Sequence, residues 1–397
     1  MKIFRILLVV STALLTANRV SAQTWTLTSA PTNGGWTCVA SSADGNKLVA
    51  VNPIIGSIFT STNSGANWTS NNVPLYPWNC VASSADGCKL AAAARISTIS
   101  GPFYTSTNSG ASWTSNNVPY EIWFSIASSA DGTKLAALAV NMLFGTIYTS
   151  TNSGTTWTSN NVPITSCKAV ALSADGTQLV VVGMGICVST NSGSSWTLTN
   201  SSLLGASAVA SSADGTRLAA IVGSLIYIST NSGIAWAGTS APATNWISIA
   251  SSADGSRLVA VAGGSHSIQP PIVVNGPIYT STNSGMTWTF NSVPVQYWTS
   301  VASSANGNTL VATINGGGIW TSRITPTPSM NITPTNGNLM LSWTVPSTNF
   351  VLQQDLDLTT TNWTDVTNTP TLNLTNLQDE VILSPIGSSG FYRLKTP

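Results

Sequence analysis

Charge is what this sequence has least of. Of 397 residues only 13 are Lys or Arg and 12 are Asp or Glu, 6% of the chain, against about 25% in ordinary globular proteins. No basic footprint for nucleic acid exists. One histidine, His266, and no acidic cluster leave no donor set for a metal site, and no cofactor is expected. The five cysteines form no Cys-x-x-Cys pair, which excludes a redox motif or a zinc signature. Long apolar runs are also scarce. The one at residues 6–15 is too short to span a bilayer. It follows Lys2 and Arg5 and precedes the small residues Val20-Ser21-Ala22, the pattern of a secretory signal peptide over residues 1–22. Without it the chain starts at Gln23 and carries 10 basic against 12 acidic side chains, net −2. The expectation is an exported protein with no membrane span: secreted, periplasmic or on a bacterial cell surface.

What fills the chain instead is a repeat. A Ser-Ala-Asp-Gly turn places its Asp at Asp44, Asp86, Asp131, Asp175, Asp214 and Asp254, with Asn306 in a seventh copy. Each turn sits between two short β-type runs, and Asp-Gly there is a hairpin signal because Gly accepts a positive φ. A second motif, Ser-Thr-Asn-Ser-Gly-x-x-Trp, ends at Trp68, Trp113, Trp157, Trp196, Trp236 and Trp288. Two hairpins per repeat of about 40 residues make four antiparallel strands, the unit of a propeller blade, which buries its faces only against neighbouring blades. The expected fold is all-β: a seven-bladed β-propeller over residues 23–324.

The second motif occurs six times, one short of seven, and the shortfall predicts how the ring closes. Trp25 is followed six residues later by Pro31, the spacing also found at Trp68/Pro74, Trp113/Pro119, Trp157/Pro163, Trp236/Pro242 and Trp288/Pro294. Residues 24–29 therefore read as the outermost strand of the last blade, delivered by the other end of the chain. Pairing the N- and C-terminal strands removes an open edge.

The second motif resembles the Asp-box of the bacterial neuraminidase repeat family, Ser-x-Asp-x-Gly-x-x-Trp. All six copies have Asn where that family has Asp. Asn bonds the backbone of its own turn as Asp does, so the resemblance implies the same folding role. In that family the box lies on the face opposite the active site. Its sialidases use a six-bladed ring, three arginines, a Tyr/Glu pair and an acid/base Asp. Here Arg217 and Arg257 lie three residues after a turn Asp, on the box side, and Arg323 ends the last blade. Only Arg95 remains for the other face. The likeness is to the seven-bladed, non-catalytic type of the photosystem II assembly and stability factor.

Beyond the ring, residues 325–337 read as a Thr/Pro-rich linker. Residues 338–397 alternate as a small β-sandwich-like module, similar to those that end many secreted bacterial repeat proteins.

Hydrolysis of a glycosidic bond needs two carboxylates about 5–10 Å apart. Six of the propeller's seven acids are turn Asp residues spread round one face, and Glu121 stands alone. A non-catalytic binding or scaffold role is expected, with a glycan or protein ligand and a monomeric protein; a sialidase-like or polysaccharide-degrading glycoside hydrolase is the alternative. Eight residues before the turn Asp, or Asn306, lie Trp36, Trp78, Trp123, Cys167, Ala206, Trp246 and Trp298. The five tryptophans either ring the channel mouth and stack on a ligand or wedge between blades as core. The rare ionisable residues Arg95, Glu121 and His266 are expected beside them on the loop face, where connections vary in length and composition. Cys38 and Cys80 occupy equivalent positions where other repeats have Ser or Ala. That is the mark of a small-residue packing position, with a disulfide as the alternative in an oxidising compartment.

Overall fold

The computed structural model describes residues 24–96, 100–141, 144–266, 272–324, 330–344, 351–356, 362–373, 378–384 and 390–395. The proposed signal peptide, residues 1–22, lies outside them, as do residues 325–329 of the linker. Every regular element among the described residues is a strand.

Seven antiparallel sheets follow one another along residues 25–323. They begin with Cys38–Ser41, Trp78–Ser83, Trp123–Ser128, Ala169–Leu172, Ala206–Ser211, Trp246–Ser251 and Trp298–Ser303. Most have four strands in a meander; the fourth uses one long segment, Leu179–Ser189, where the others have two. The first strands are the innermost and neighbour one another in a circle, the seventh against the first. Closure is as the Trp-to-Pro spacing predicts. Trp25–Leu27 pairs antiparallel with Ile319–Arg323, Trp25 opposite Ser322 and Leu27 opposite Trp320.

The Asp turns hold one end of the circle. In each, a serine hydroxyl donates to the Asp carboxylate, as from Ser42 to Asp44 at 2.5 Å, while the Asp accepts the amide two residues on, as from Asn46 at 2.9 Å. The turns also bond one another through the backbone. From Ala43 through Ala85, Ala130, Ala174, Ala213, Ala253 and Ala305, each amide donates to the next carbonyl at 2.6–2.8 Å, and Ala305 donates back to Ala43 at 2.8 Å. This closed circle satisfies inner-edge groups that a sheet would otherwise leave unpaired.

The Ser-Thr-Asn-Ser-Gly turns hold the outer strands on the same side. Asn63 Oδ1 accepts from the Ser61 hydroxyl at 3.0 Å and from the Asn67 amide at 2.8 Å. Ser64 takes φ 57° and Gly65 φ 87°, a left-handed pair that all six copies repeat. The amide thus performs the turn chemistry expected of it.

Between sheets the core is mostly apolar, with a few buried polar side chains such as Asn52 and Thr313. Strands such as Leu48–Asn52 and Leu90–Ala94 are buried along their whole length, because both faces of each sheet pack against neighbours. Two further sheets lie in the C-terminal region, one of them including Met330–Thr335 and Asn338–Thr344. The stretch that composition marks as linker therefore already contributes a strand. Leu341, Trp343, Leu352, Val381 and Leu383 form a separate small core there.

Candidate ligand-binding surface at the channel mouth

The five tryptophans before the Asp turns are not a surface ring. Trp36, Trp78, Trp123 and Trp298 are 0% exposed and Trp246 is 2% exposed. Each wedges between sheets, and four find an indole N–H acceptor across the joint: Trp78 donates to Gly56 O at 3.2 Å, Trp123 to Gly101 O at 2.9 Å, Trp298 to Gly276 O at 2.9 Å and Trp36 to Pro31 O at 3.1 Å. The half-buried box tryptophans pack beside them, Trp36 against Trp68 at 6.5 Å and Trp246 against Trp288 at 6.3 Å. Burial of so large a ring outweighs its exposure as a stacking platform, so the core alternative holds.

Strand alternation turns the residue after each Trp the other way. Three of these residues stitch the inner strands together: Thr37 Oγ1 donates to Trp78 O at 3.3 Å, Asn79 Nδ2 to Trp123 O at 3.0 Å, and Thr299 Oγ1 to Trp36 O at 2.8 Å. At the next position Ser300, Ser248 and Ser125 accept amides of the following sheet, from Val39, Val301 and Val170, at 3.2–3.3 Å. Cys38 and Cys80 occupy this position as free thiols, and burial raises both above the ordinary thiol range. The small residue is required because it faces a neighbouring backbone.

The same inner circle carries a charged cluster that the Trp register does not reveal. Phe124 follows Trp123, and Lys168 is the equivalent residue of the fourth sheet. The Arg95 guanidinium lies 4.6 Å from the Phe124 ring centroid and Lys168 Nζ 5.6 Å from it. Lys168 is exposed, Phe124 and Arg95 half-buried. Arg95 leaves the end of Leu90–Ala94, where its amide bonds Pro77 O at 3.0 Å. Two cations beside one ring concentrate positive charge next to an apolar surface. Both missed residues had a signal in the sequence, the period-2 alternation from the buried position before them.

Glu121 sits near the same joint with a different partner. It accepts the Tyr148 hydroxyl at 2.8 Å, and its backbone bridges to Gly101. Burial, then the hydrogen bond and charge of Glu121, push the Tyr148 hydroxyl up to about 12. Tyr148 also packs edge-on against Trp123 at 5.4 Å. Glu121 therefore braces the third sheet, while Arg95 faces Phe124. The six turn Asp residues lie at the opposite end, already accepting serine hydroxyls. His266 ends the strand Leu258–His266 and pairs with Ile272; its side chain lies outside the described residues. Among the described residues no group of three His, Cys, Asp or Glu could hold a metal, and no helix is long and apolar enough to cross a membrane.

Around the mouth the connecting loops expose apolar side chains. Ile54 is 71% exposed, Leu75 77% and Tyr120 60%; Leu204, Val295, Met184 and Leu225 join them. Ile54, Leu75 and Tyr120 sit on connections, while Met184, Leu204, Leu225 and Val295 lie within or at the ends of strands that run to the end where the innermost strands start.

The solved structures most informative about this arrangement share its shape at low identity. YCF48 from Cyanidioschyzon merolae superposes with a TM-score of 0.57 at 14% identity, over 75% of this chain and 98% of that one. A structure of YCF48 bound to D1 peptide gives 0.55 at 14% identity, over 77% and 97%. The chain folds as a β-propeller. The GH74 xyloglucanase from Xanthomonas campestris also matches, with a TM-score of 0.57 at 15% identity, over 81% of this chain but only 59% of that enzyme. No protein-family profile and no curated protein sequence matches the chain. At these identities the likeness is one of fold.

Proposed function

We propose that this protein is an exported, seven-bladed propeller of the Asp-box type that binds a protein ligand, without catalysis, on its loop face. The seven-alanine hydrogen-bond circle supports the blade count, and the six Ser-Thr-Asn-Ser-Gly-x-x-Trp turns support the type. Residues 1–22 direct export, and the C-terminal β-rich segment is a separate module.

The observation that carries the binding reading is the loop face itself. Exposed Ile54, Leu75, Tyr120, Leu204 and Val295 surround a mouth marked by Arg95, Phe124 and Lys168. Exposed apolar side chains grouped around a few fixed charges are the mark of a protein contact surface. A glycan site would instead present a platform of several aromatic faces, and the five tryptophans that could supply it are buried, with Tyr120 an exposed ring on this face. The bound D1 peptide of the YCF48 structure shows a propeller of this shape holding a polypeptide. A hydrolase reading draws on fold likeness alone, because among the described residues of the propeller the other six carboxylates are turn Asp at the opposite end from Glu121.

The test is a peptide array and a glycan array probed with the mature protein, in parallel with a Leu75→Asp/Lys168→Glu variant. Acidic, apolar-flanked peptides should bind the native protein and lose binding to the variant. Binding confined to the glycan array, or unchanged by the variant, overturns the reading.

A further inference from the structure

Five Asn-Gly pairs stand in this chain, at Asn33, Asn275, Asn306, Asn315 and Asn336. A glycine after asparagine leaves the next amide nitrogen unshielded by a Cβ, so that nitrogen can attack the side-chain carbonyl carbon. Closing the ring requires the peptide between the two residues to swing. The fold holds that peptide at four of the five pairs.

Gly34 and Gly276 are buried and stand opposite Gly317 and Gln296 in their ladders. A Cβ on either would overlap Asn52 or the Ala262 backbone, so neither peptide has room to turn. The Gly307 amide already donates to Ser304 O at 2.9 Å, in a turn where Asn306 Oδ1 accepts two bonds of its own. Asn315 is exposed, but its amide donates to Tyr297 O at 3.0 Å, and it and Gly317 pair with Gly35 and Gly34. Its peptide is held from both sides.

Asn336-Gly337 differs on each count. The pair forms the two-residue turn between Met330–Thr335 and Asn338–Thr344, closed by Thr335 opposite Asn338. Asn336 has φ 47° and Gly337 φ 79°, the left-handed pair of a type I′ hairpin. Both residues are exposed and outside the ladder, and nothing lies within 4 Å of where a Gly337 Cβ would stand.

We propose that Asn336 is a site of self-modification, at which the chain converts its own asparagine to aspartate and isoaspartate with water as the only other reactant. The Gly337 nitrogen bonds to Asn336 Cγ, the Cγ–Nδ2 bond breaks, and ammonia carries off the amide proton. Water then opens the cyclic imide at either carbonyl. Opening at the α-carbonyl leaves the main chain running through Cβ and Cγ, one methylene longer.

The added atom falls where a type I′ turn sets register by its length. Met330 then loses its place opposite Trp343, and Ile332 its place opposite Leu341. Leu341 and Trp343 are buried in the small C-terminal core, and Met330 packs against it. Among the described residues Met330–Thr335 is bonded on one side only, to Asn338–Thr344, so no second neighbour holds it. The conversion is an irreversible, age-dependent release of this strand. It is independent of the loop-face reading, because it concerns another part of the chain.

The test incubates the full mature protein in neutral and in mildly alkaline buffer and follows it by peptide-mapping mass spectrometry that separates isoaspartyl peptides. Conversion should appear first at Asn336, about tenfold or more ahead of Asn306 and Asn315, the factor that one retained backbone hydrogen bond supplies. It should run faster at the higher pH, where more of the attacking amide is deprotonated. Asn336→Gly keeps the turn, since Gly-Gly suits type I′, and removes the reacting group. Amides of residues 330–335 should exchange hydrogen faster in aged than in fresh native protein, and equally in aged and fresh Asn336→Gly. Conversion that begins at another Asn-Gly pair, or is absent at Asn336, overturns the site. Conversion without faster exchange at residues 330–335 overturns the release.

Discussion

The Ala305 amide donates to the Ala43 carbonyl at 2.8 Å, joining the turn of the last blade to that of the first. On the outer rim Trp25 pairs with Ser322. The ring is thus latched at both its inner and its outer radius.

Removing the outer latch should therefore loosen more than one strand. Trp25 is buried against Trp298 in a core shared with Val259, Val261 and Ile278 of the sixth blade. Trp25→Ala should cost about 3–5 kcal/mol, and deletion of residues 24–31 more. Chemical denaturation measures both; a deletion that leaves the midpoint unchanged would show that closure rests elsewhere.

The buried tryptophans should behave as core. Trp78→Ala and Trp123→Ala should each destabilise by about 3–5 kcal/mol, because each leaves a cavity between blades and frees the carbonyl of Gly56 or Gly101. At temperatures well below the lowered melting point, ligand affinity should stay within about threefold of the native value.

The mouth residues should show the opposite split. Phe124→Ala and Lys168→Ala should weaken binding of an acidic peptide by about tenfold, while the exposed Lys168 changes stability by no more than about 0.5 kcal/mol. Affinity should fall with added salt in the native protein and less steeply in Lys168→Ala. Calorimetric titration at two ionic strengths separates these outcomes.

Stability should fall in acid through the repeated turns. Burial raises the carboxyls of Asp86, Asp131, Asp175, Asp214 and Asp254, but hydroxyl and backbone hydrogen bonds, joined in all but Asp214 by a neighbouring positive charge, bring them below the ordinary value of 3.8. A depressed folded-state pKa contributes stability that is present above the unfolded value and lost as pH falls through the folded one. Melting temperature should therefore drop steeply below about pH 4. Replacing the five by Asn, as Asn306 stands in the seventh turn, should flatten that drop. An acid limb of equal steepness in the replaced protein would assign it to other groups.

Much of this was legible in the sequence because local chemistry repeats. The Asp-Gly and Asn-Ser-Gly turns need particular residues for positive φ and for side-chain capping, so their spacing reported the strand order. The Trp25/Pro31 pair likewise reported the closing strand. What alternation could not tell was which face of the inner strand met a neighbour. Trp36 and Trp123 could have pointed to solvent or to the joint; the packing of adjacent blades buried them and turned Phe124 toward Arg95 and Lys168, which come from other parts of the chain. Turn chemistry acts over a few neighbouring residues and is written in order, whereas burial and cavities depend on distant segments meeting, which only the closed ring decides.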